Sequence, residues 1–200
     1  MTTLEAFNQA LFLKLNATPS TPAPLIGLAR FIADYAIYLV PLALVAMWLS
    51  GDPRRRESAL RACCVASLAL GINQLIALVW PHPRPFMLGI GHTLLHHAPD
   101  SSFPSDHATI FASIALSFLV DGVRRYGVAM LLSGVGVAWA RVFVGVHFPF
   151  DMAGAVAVAY VAFLLIAPLW RWFGESTTRA LIAVYRKLLA WPIARGWLSL

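Results

Sequence analysis

The ionisable side chains outside the basic loops of this chain crowd into two short stretches. One begins Trp80-Pro81-His82-Pro83-Arg84-Pro85-Phe86 and, after a loop bearing Gly and His, reaches Ser101-Ser102-Phe103-Pro104-Ser105-Asp106-His107. The other runs from Ala140 and Arg141 to His147, Pro149 and Asp151. His147 and Asp151 stand four apart around Pro149. That spacing lets the carboxylate accept from one ring nitrogen and leaves the other as a base or nucleophile. Arg141 lies in an apolar stretch that must enter hydrocarbon, where a charge costs roughly 2.5–3.5 kcal/mol even on insertion scales. It needs a partner, and its planar fork suits phosphate oxygens. Ser105 reads as a helix N-cap with His107 in the first turn. Unpaired N–H groups and the positive dipole end favour an anion there, and His107 can give or take a proton. Arg84, stiffened between two prolines, can reach the same anion. Each motif alone has an ordinary explanation: a snorkelling arginine, a capped helix with a surface histidine, a satisfied interfacial histidine. Together they point to phosphate.

Whether they meet depends on the elements that carry them. The chain is 60% hydrophobic and only 12% charged, with a mean hydropathy of +0.73. A soluble domain carries about 25% charge, so the composition calls for a membrane. Apolar stretches near the ~20 residues a span needs run from Pro24 to Leu49, Ala59 to Trp80, Tyr126 to Val146 and Met152 to Phe173, with a short one from Ala108 to Val120. Arg54, Arg55, Arg56 and Arg61, then Arg124 and Arg125, then Arg179, Arg186, Lys187 and Arg195 fall on one side of such a bundle. Basic loops stay cytoplasmic, so the loop from Pro81 to Ser105 and the turn from His147 to Phe150 face outward together. The formal charge of +6 reports this orientation and not a nucleic-acid partner.

The predicted fold is an all-α polytopic membrane helix bundle, a single domain over residues 1–200 with about five to six spans. Interfacial helices are expected at both ends, on the stripes Leu4, Phe7, Leu11, Phe12, Leu15 and Leu181, Val184, Leu188, Leu189. The start, Met1-Thr2-Thr3-Leu4-Glu5, lacks the basic region of a signal peptide, so the first span is expected to direct insertion. Cys63 and Cys64 read as packing residues. Arg30 and Asp34, four apart, read as an intrahelical pair. His82, His92, His96 and His97 read as a solvated outer loop.

At the two stretches the chain resembles the type 2 phosphatidic acid phosphatase family of membrane lipid phosphatases, whose signature is K-x6-R-P, then P-S-G-H, then S-R-x5-H-x3-D. Arg84-Pro85 fits the end of the first part, Pro104, Ser105 and His107 the second, and Arg141, His147 and Asp151 the third. Ala77 stands where the family has lysine, Asp106 where it has glycine, and Ala140 where it has serine. Asn73-Gln74-Leu75-Ile76, the run Phe-Pro-Ser-Asp-His ending at His107, and the stretch from Asn8 to Leu13 are similar to the bacitracin-resistance branch, the undecaprenyl-diphosphate phosphatases.

The resemblance implies catalytic roles for His147 as nucleophile, Asp151 as its orienting partner and His107 as acid and base. It implies that Arg84, Arg141 and Ser105 hold phosphate oxygens, with no metal and no cofactor. Asp106, also placed at the phosphate, is expected to pair with Arg84 or Arg141. The implied substrate is undecaprenyl diphosphate, a polyprenyl diphosphate lipid, cleaved at the periplasmic or extracellular side of the bacterial cytoplasmic membrane to recycle the carrier for cell-wall synthesis. Rival readings keep the chemistry on another lipid phosphate, pass the phosphate to an acceptor lipid, or use the histidines for haem or a metal. A transporter relaying ions through Arg30 and Asp34 is the last.

Overall fold

The computed structural model describes residues 3–50 and 52–196. Met1 and Thr2, part of the start read as lacking a basic leader, and residues 197–200 of the expected domain lie outside them. Helix α1 (Thr3–Leu15) precedes a first apolar rod built of α2 (Ala23–Tyr35), a 3-10 turn (Ala36–Tyr38) and α3 (Leu39–Leu49). Then follow α4 (Pro53–Val79), α5 (Asp106–Val120), α6 (Arg124–Phe143), α7 (Pro149–Leu188) and the short α8 (Ala190–Ala194), with no strand among the described residues. The rod Ala23–Leu49, α4, α6 and α7 are long and apolar enough to cross a membrane, and α5 is a shorter apolar helix. The all-α membrane bundle expected from composition is what forms.

Element boundaries follow local signals. Asp52 caps α4 by accepting from the Arg54 N–H at 2.9 Å, and Pro53 fills a first position that needs no N–H. These two start the helix at Pro53, ahead of the predicted Ala59. At the other end of the chain α7 continues without a break to Leu188. The stripe of Leu181, Val184 and Leu188 is therefore carried on the same helix as the last span. Nothing between Phe173 and Leu181 stops it, and Glu175 pairs with Arg179 one turn on at 3.4 Å. Buried Arg56 ties this extension to the bundle. Its Nε donates to Trp48 O at 2.8 Å, and its guanidinium lies 5.6 Å from the Trp48 ring centre and 5.0 Å from that of Tyr185.

The short helix is the central one. α5 packs on α4, α6 and α7, while α2 leans on α6 and α3 on α4. Small residues make the approach close: Ala62, Ala69, Ala115, Ala159 and Ala162 are all buried. At Gly134 of α6, an added Cβ would come within 2.8 Å of the Phe111 Cβ on α5. Large apolar side chains instead point outward, among them Leu75, Leu78, Leu132, Val135 and Trp172, as a lipid-facing surface requires. Cys63 and Cys64, expected in packing, are free and exposed on that surface.

This up-and-down path has one consequence for chemistry. The C-terminal ends of α4 and α6 and the N-terminal ends of α5 and α7 meet at one end of the bundle. Asp52, Arg54, Arg55, Arg124 and Arg125 gather around a cavity at the opposite end.

Candidate active site

The turn that carries His147 is shaped by a glycine. α6 closes with Gly145 N–H donating to Val142 O at 3.1 Å and Val146 N–H to Arg141 O at 3.2 Å. Gly145 has φ +85, a conformation that costs other residues, and the His92 carbonyl fills the space a Cβ would need. The reversal puts His147 between the two helices, ahead of Pro149. The outer loop is sewn to it. Leu94 N–H donates to Val144 O at 2.8 Å. Buried Asn16 acts like a stretch of backbone: its amide donates to His92 O and Phe143 O, each at 2.9 Å, and accepts from His92 N–H at 2.7 Å. Asn8 of α1 accepts from Phe150 N–H at 3.1 Å, and Phe12 packs on Phe148 with ring centres 5.3 Å apart. α1 is thus a wall of the site as well as an amphipathic helix.

His147 is not the exposed turn residue its loop position suggests; only 2% of it is accessible. Its Nδ1 lies 3.1 Å from Asp151 Oδ2, which also accepts from Phe148 N–H at 2.8 Å and from the Ser102 hydroxyl. With Nδ1–H donating to Asp151, Nε2 carries the lone pair. Arg84 Nη1 meets it at 3.0 Å. Burial first, then the charges of Arg84 and Arg141, holds His147 well below its ordinary pKa of 6.5. The resting ring is neutral, as a nitrogen nucleophile must be.

The cavity in front of His147 has a volume of about 170 Å³ and is lined by Arg84, His97, Asp100, His107, Arg141 and Asn73, with Asp106, Gln74 and Ala77 on its α4 side. Arg141 is 3% accessible, and its Nε is buried without a hydrogen-bond partner. Arg84, by contrast, has a partner on each of its three nitrogens. Nε donates to Asp100 Oδ1 at 2.7 Å, Nη1 to Val146 O at 2.9 Å and Nη2 to Ser101 O at 3.2 Å. The structure brings Arg84, Asp106, His107, Arg141 and His147 to one cavity. Ser105 and Asp151 stand behind that wall. Ser105 caps α5 through the Ala108 N–H at 3.5 Å and donates its own N–H to Asp151 O at 3.3 Å.

Three expectations need correction. Asp106 pairs with neither arginine: its Oδ1 accepts from Asn73 Nδ2 at 2.8 Å. A residue one step into α5 faces α4, whereas the arginines approach from the loop and α6. Arg30 and Asp34 form no ion pair among the described residues; Arg30 Nε donates to Leu94 O. The outer histidines are not all solvated. His97 lines the cavity, its ring centre 6.3 Å from that of His147. Burial, followed by the charges of Arg84 and Arg141, outweighs the Ala98 carbonyl and lowers its pKa.

Residues that the motifs do not mark also take part: Ser102, Asn16, His97 and Asp100. Ser102 is fully buried, with its hydroxyl on Asp151 Oδ2 and 3.4 Å from His147 Nδ1. A hydrogen bond to a charged group is worth about 1.5–3 kcal/mol. Ser102→Ala is therefore expected to slow phosphate release roughly 10- to 150-fold with little change in KM. Steady-state kinetics beside a thermal midpoint checks this; an unchanged kcat would leave Ser102 with a packing role only.

Residues 58–175 match the PAP2 superfamily, and the chain belongs to it. Among its relatives, YbjG of Escherichia coli strain K12 is 37% identical over 97% of this chain and 98% of its own. The undecaprenyl-diphosphatase BcrC of Bacillus subtilis strain 168 is 34% identical over 92% of this chain and 97% of its own. LpxE from Aquifex aeolicus shares the fold with a TM-score of 0.65 at 19% identity, over 81% of this chain and 95% of that one. A PAP2-type phosphatidylglycerolphosphate phosphatase from Bacillus subtilis does so at 0.59 and 20% identity, over 84% and 87%.

Proposed function

We propose that this membrane phosphatase converts undecaprenyl diphosphate to undecaprenyl phosphate and inorganic phosphate, through a phosphohistidine, at the outer face of the bacterial cytoplasmic membrane. The observation that carries the chemistry is the neutral, Asp151-oriented His147 facing a cavity with an unpartnered Arg141. Near full-length similarity to the undecaprenyl-diphosphatase BcrC supports the lipid. The basic residues gathered at the opposite end of α4 and α6 support the outward side.

The steps follow from the residues. A terminal phosphate entering the cavity takes over the Arg84 Nη1–H that covers His147 Nε2, which frees the lone pair. Arg84 and Arg141 then hold the non-bridging oxygens. His147 Nε2 forms a bond to phosphorus as the bridging P–O bond breaks, and His107, which takes up a proton when the diphosphate anion enters, gives it to the departing lipid phosphate. Asp151 balances the positive charge that the ring acquires. His107, now neutral, takes a proton from water, whose oxygen attacks phosphorus and returns the electron pair to Nε2.

Phosphate release from purified protein in detergent, over a panel of lipids, tests this. Undecaprenyl diphosphate should turn over fastest, against phosphatidylglycerophosphate, diacylglycerol pyrophosphate and phosphatidic acid. EDTA should leave the rate largely in place, because guanidinium groups supply the positive charge. Preference for another lipid would replace the substrate; loss on chelation restored by one divalent ion would replace the mechanism. Undecaprenyl diphosphate consumed only when an acceptor lipid is present, with its phosphate recovered on that lipid, would make the protein a transferase.

A further inference from the structure

The partners of Arg84 divide its guanidinium into two edges. Asp100 Oδ1 and Ser101 O, successive residues of the outer loop, take Nε at 2.7 Å and one hydrogen of Nη2 at 3.2 Å. Val146 O takes one hydrogen of Nη1 at 2.9 Å. A guanidinium has five N–H donors. Of the two that remain, the second Nη1 hydrogen meets His147 Nε2, 3.0 Å away, and the second Nη2 hydrogen has no partner among the described residues. Asp100 is the sole carboxylate in an ion pair with either site arginine among the described residues. Its side chain is 60% accessible while that of Arg84 is 5%. An ion pair with so exposed a partner adds little to stability, so fold maintenance is a poor reason for it. What it does fix is the rotation of a buried fork. His97 Nδ1, hydrogen-bonded to Ala98 O at 3.1 Å, lies 3.6 Å from the same oxygen.

We propose that Asp100 is the positioning residue of Arg84, holding the Nε edge so that the Nη edge faces the phosphate on His147. It does the orienting work that the sequence suggested for Asp106. The arrangement persists at low pH: burial alone would raise the Asp100 carboxyl, but the hydrogen bond and charge of Arg84 and the nearby His97 hold it below the usual range. The inference rests on the phosphatase reading above. Its sharpest rival is the opposite role, in which Asp100 competes with phosphate for Arg84.

The test uses the full chain in detergent with Asp100→Ala, Asp100→Asn and Arg84→Lys. Orthovanadate and inorganic phosphate serve as lipid-independent probes, read by thermal shift and by inhibition. Asp100→Ala should lower kcat/KM roughly 10- to 1,000-fold, as loss of a positioning contact does, and should weaken both anions. Asp100→Asn should recover part of the loss, because its amide oxygen still accepts from Nε. In the Arg84→Lys background, which has no fork to orient, Asp100→Ala should change little further. Tighter anion binding in Asp100→Ala would overturn the proposal in favour of competition. Effects that simply multiply with those of Arg84→Lys would overturn it as well. If the parent binds the anions but hydrolyses no lipid in the panel, the proposed function fails while the anion arms still decide the role of Asp100.

Discussion

His147→Gln and His147→Ala are expected to abolish phosphate release, with at least a thousandfold loss, since removing a nucleophile costs several orders of magnitude. Burial changes how this must be read. His147 is 2% accessible, so alanine leaves a hole beneath Arg84 and strips Asp151 Oδ2 of one of its donors. Glutamine keeps much of the volume and still offers polar atoms to both neighbours. The pair separates chemistry from packing: both should be inactive, while glutamine should hold the thermal midpoint closer to the parent. Rapid quench into alkaline detergent with radiolabelled substrate supplies the direct readout, because a phosphohistidine survives alkali and not acid. The parent should trap acid-labile phosphate on protein, and neither variant should. More than ~1% of parental activity in the folded glutamine variant would remove His147 from the nucleophile role.

The parts of the site visible in the sequence are those whose logic is local. A histidine four before a carboxylate at a helix start meets it across one turn, and His147 and Asp151 do so at 3.1 Å. Ser105 before an apolar helix reads as a cap because capping involves only its own first turn. Arg141 in an apolar run announces a function because hydrocarbon makes its charge expensive. The residues that escaped notice act across the chain through single atoms. Ser102 reaches Asp151 over 49 positions and Asn16 reaches Phe143 over 127. Neither has a spacing to detect. Asp106 lines the cavity as expected, but its partner follows from geometry and not from charge: the helix turn at the start of α5 aims it at the Asn73 amide. The fold shows the same division. Composition and basic loops were enough for the membrane bundle, but the continuity of α7 depends on contacts such as Arg56 with Tyr185, which hydropathy does not register.

Arg141→Met should move activity and stability in opposite senses. The side chain sits 3% accessible on α6, with Nε unpartnered and no ion pair among the described residues. Arg84, the other guanidinium of the cavity, repels it, while Asp34, Asp100 and Asp106 attract it from beyond ion-pair distance. A buried charge without a partner is a cost to the empty protein. Methionine has similar reach, no charge, and suits the apolar neighbours of α6. The thermal midpoint without ligand is therefore expected to hold or rise. The substrate complex behaves otherwise. There Arg141 gains the phosphate oxygens it lacked, and charge-assisted bonds in a dry site are the strong kind. Losing one such donor costs roughly 10²–10³ in kcat, and a doubly bonded arginine should lie at the upper end. Orthovanadate should raise the midpoint of the parent but not of Arg141→Met. A variant that loses stability and activity together, yet still responds to vanadate, would make Arg141 a structural residue and return the search for the phosphate receptor to Arg84 and the start of α5.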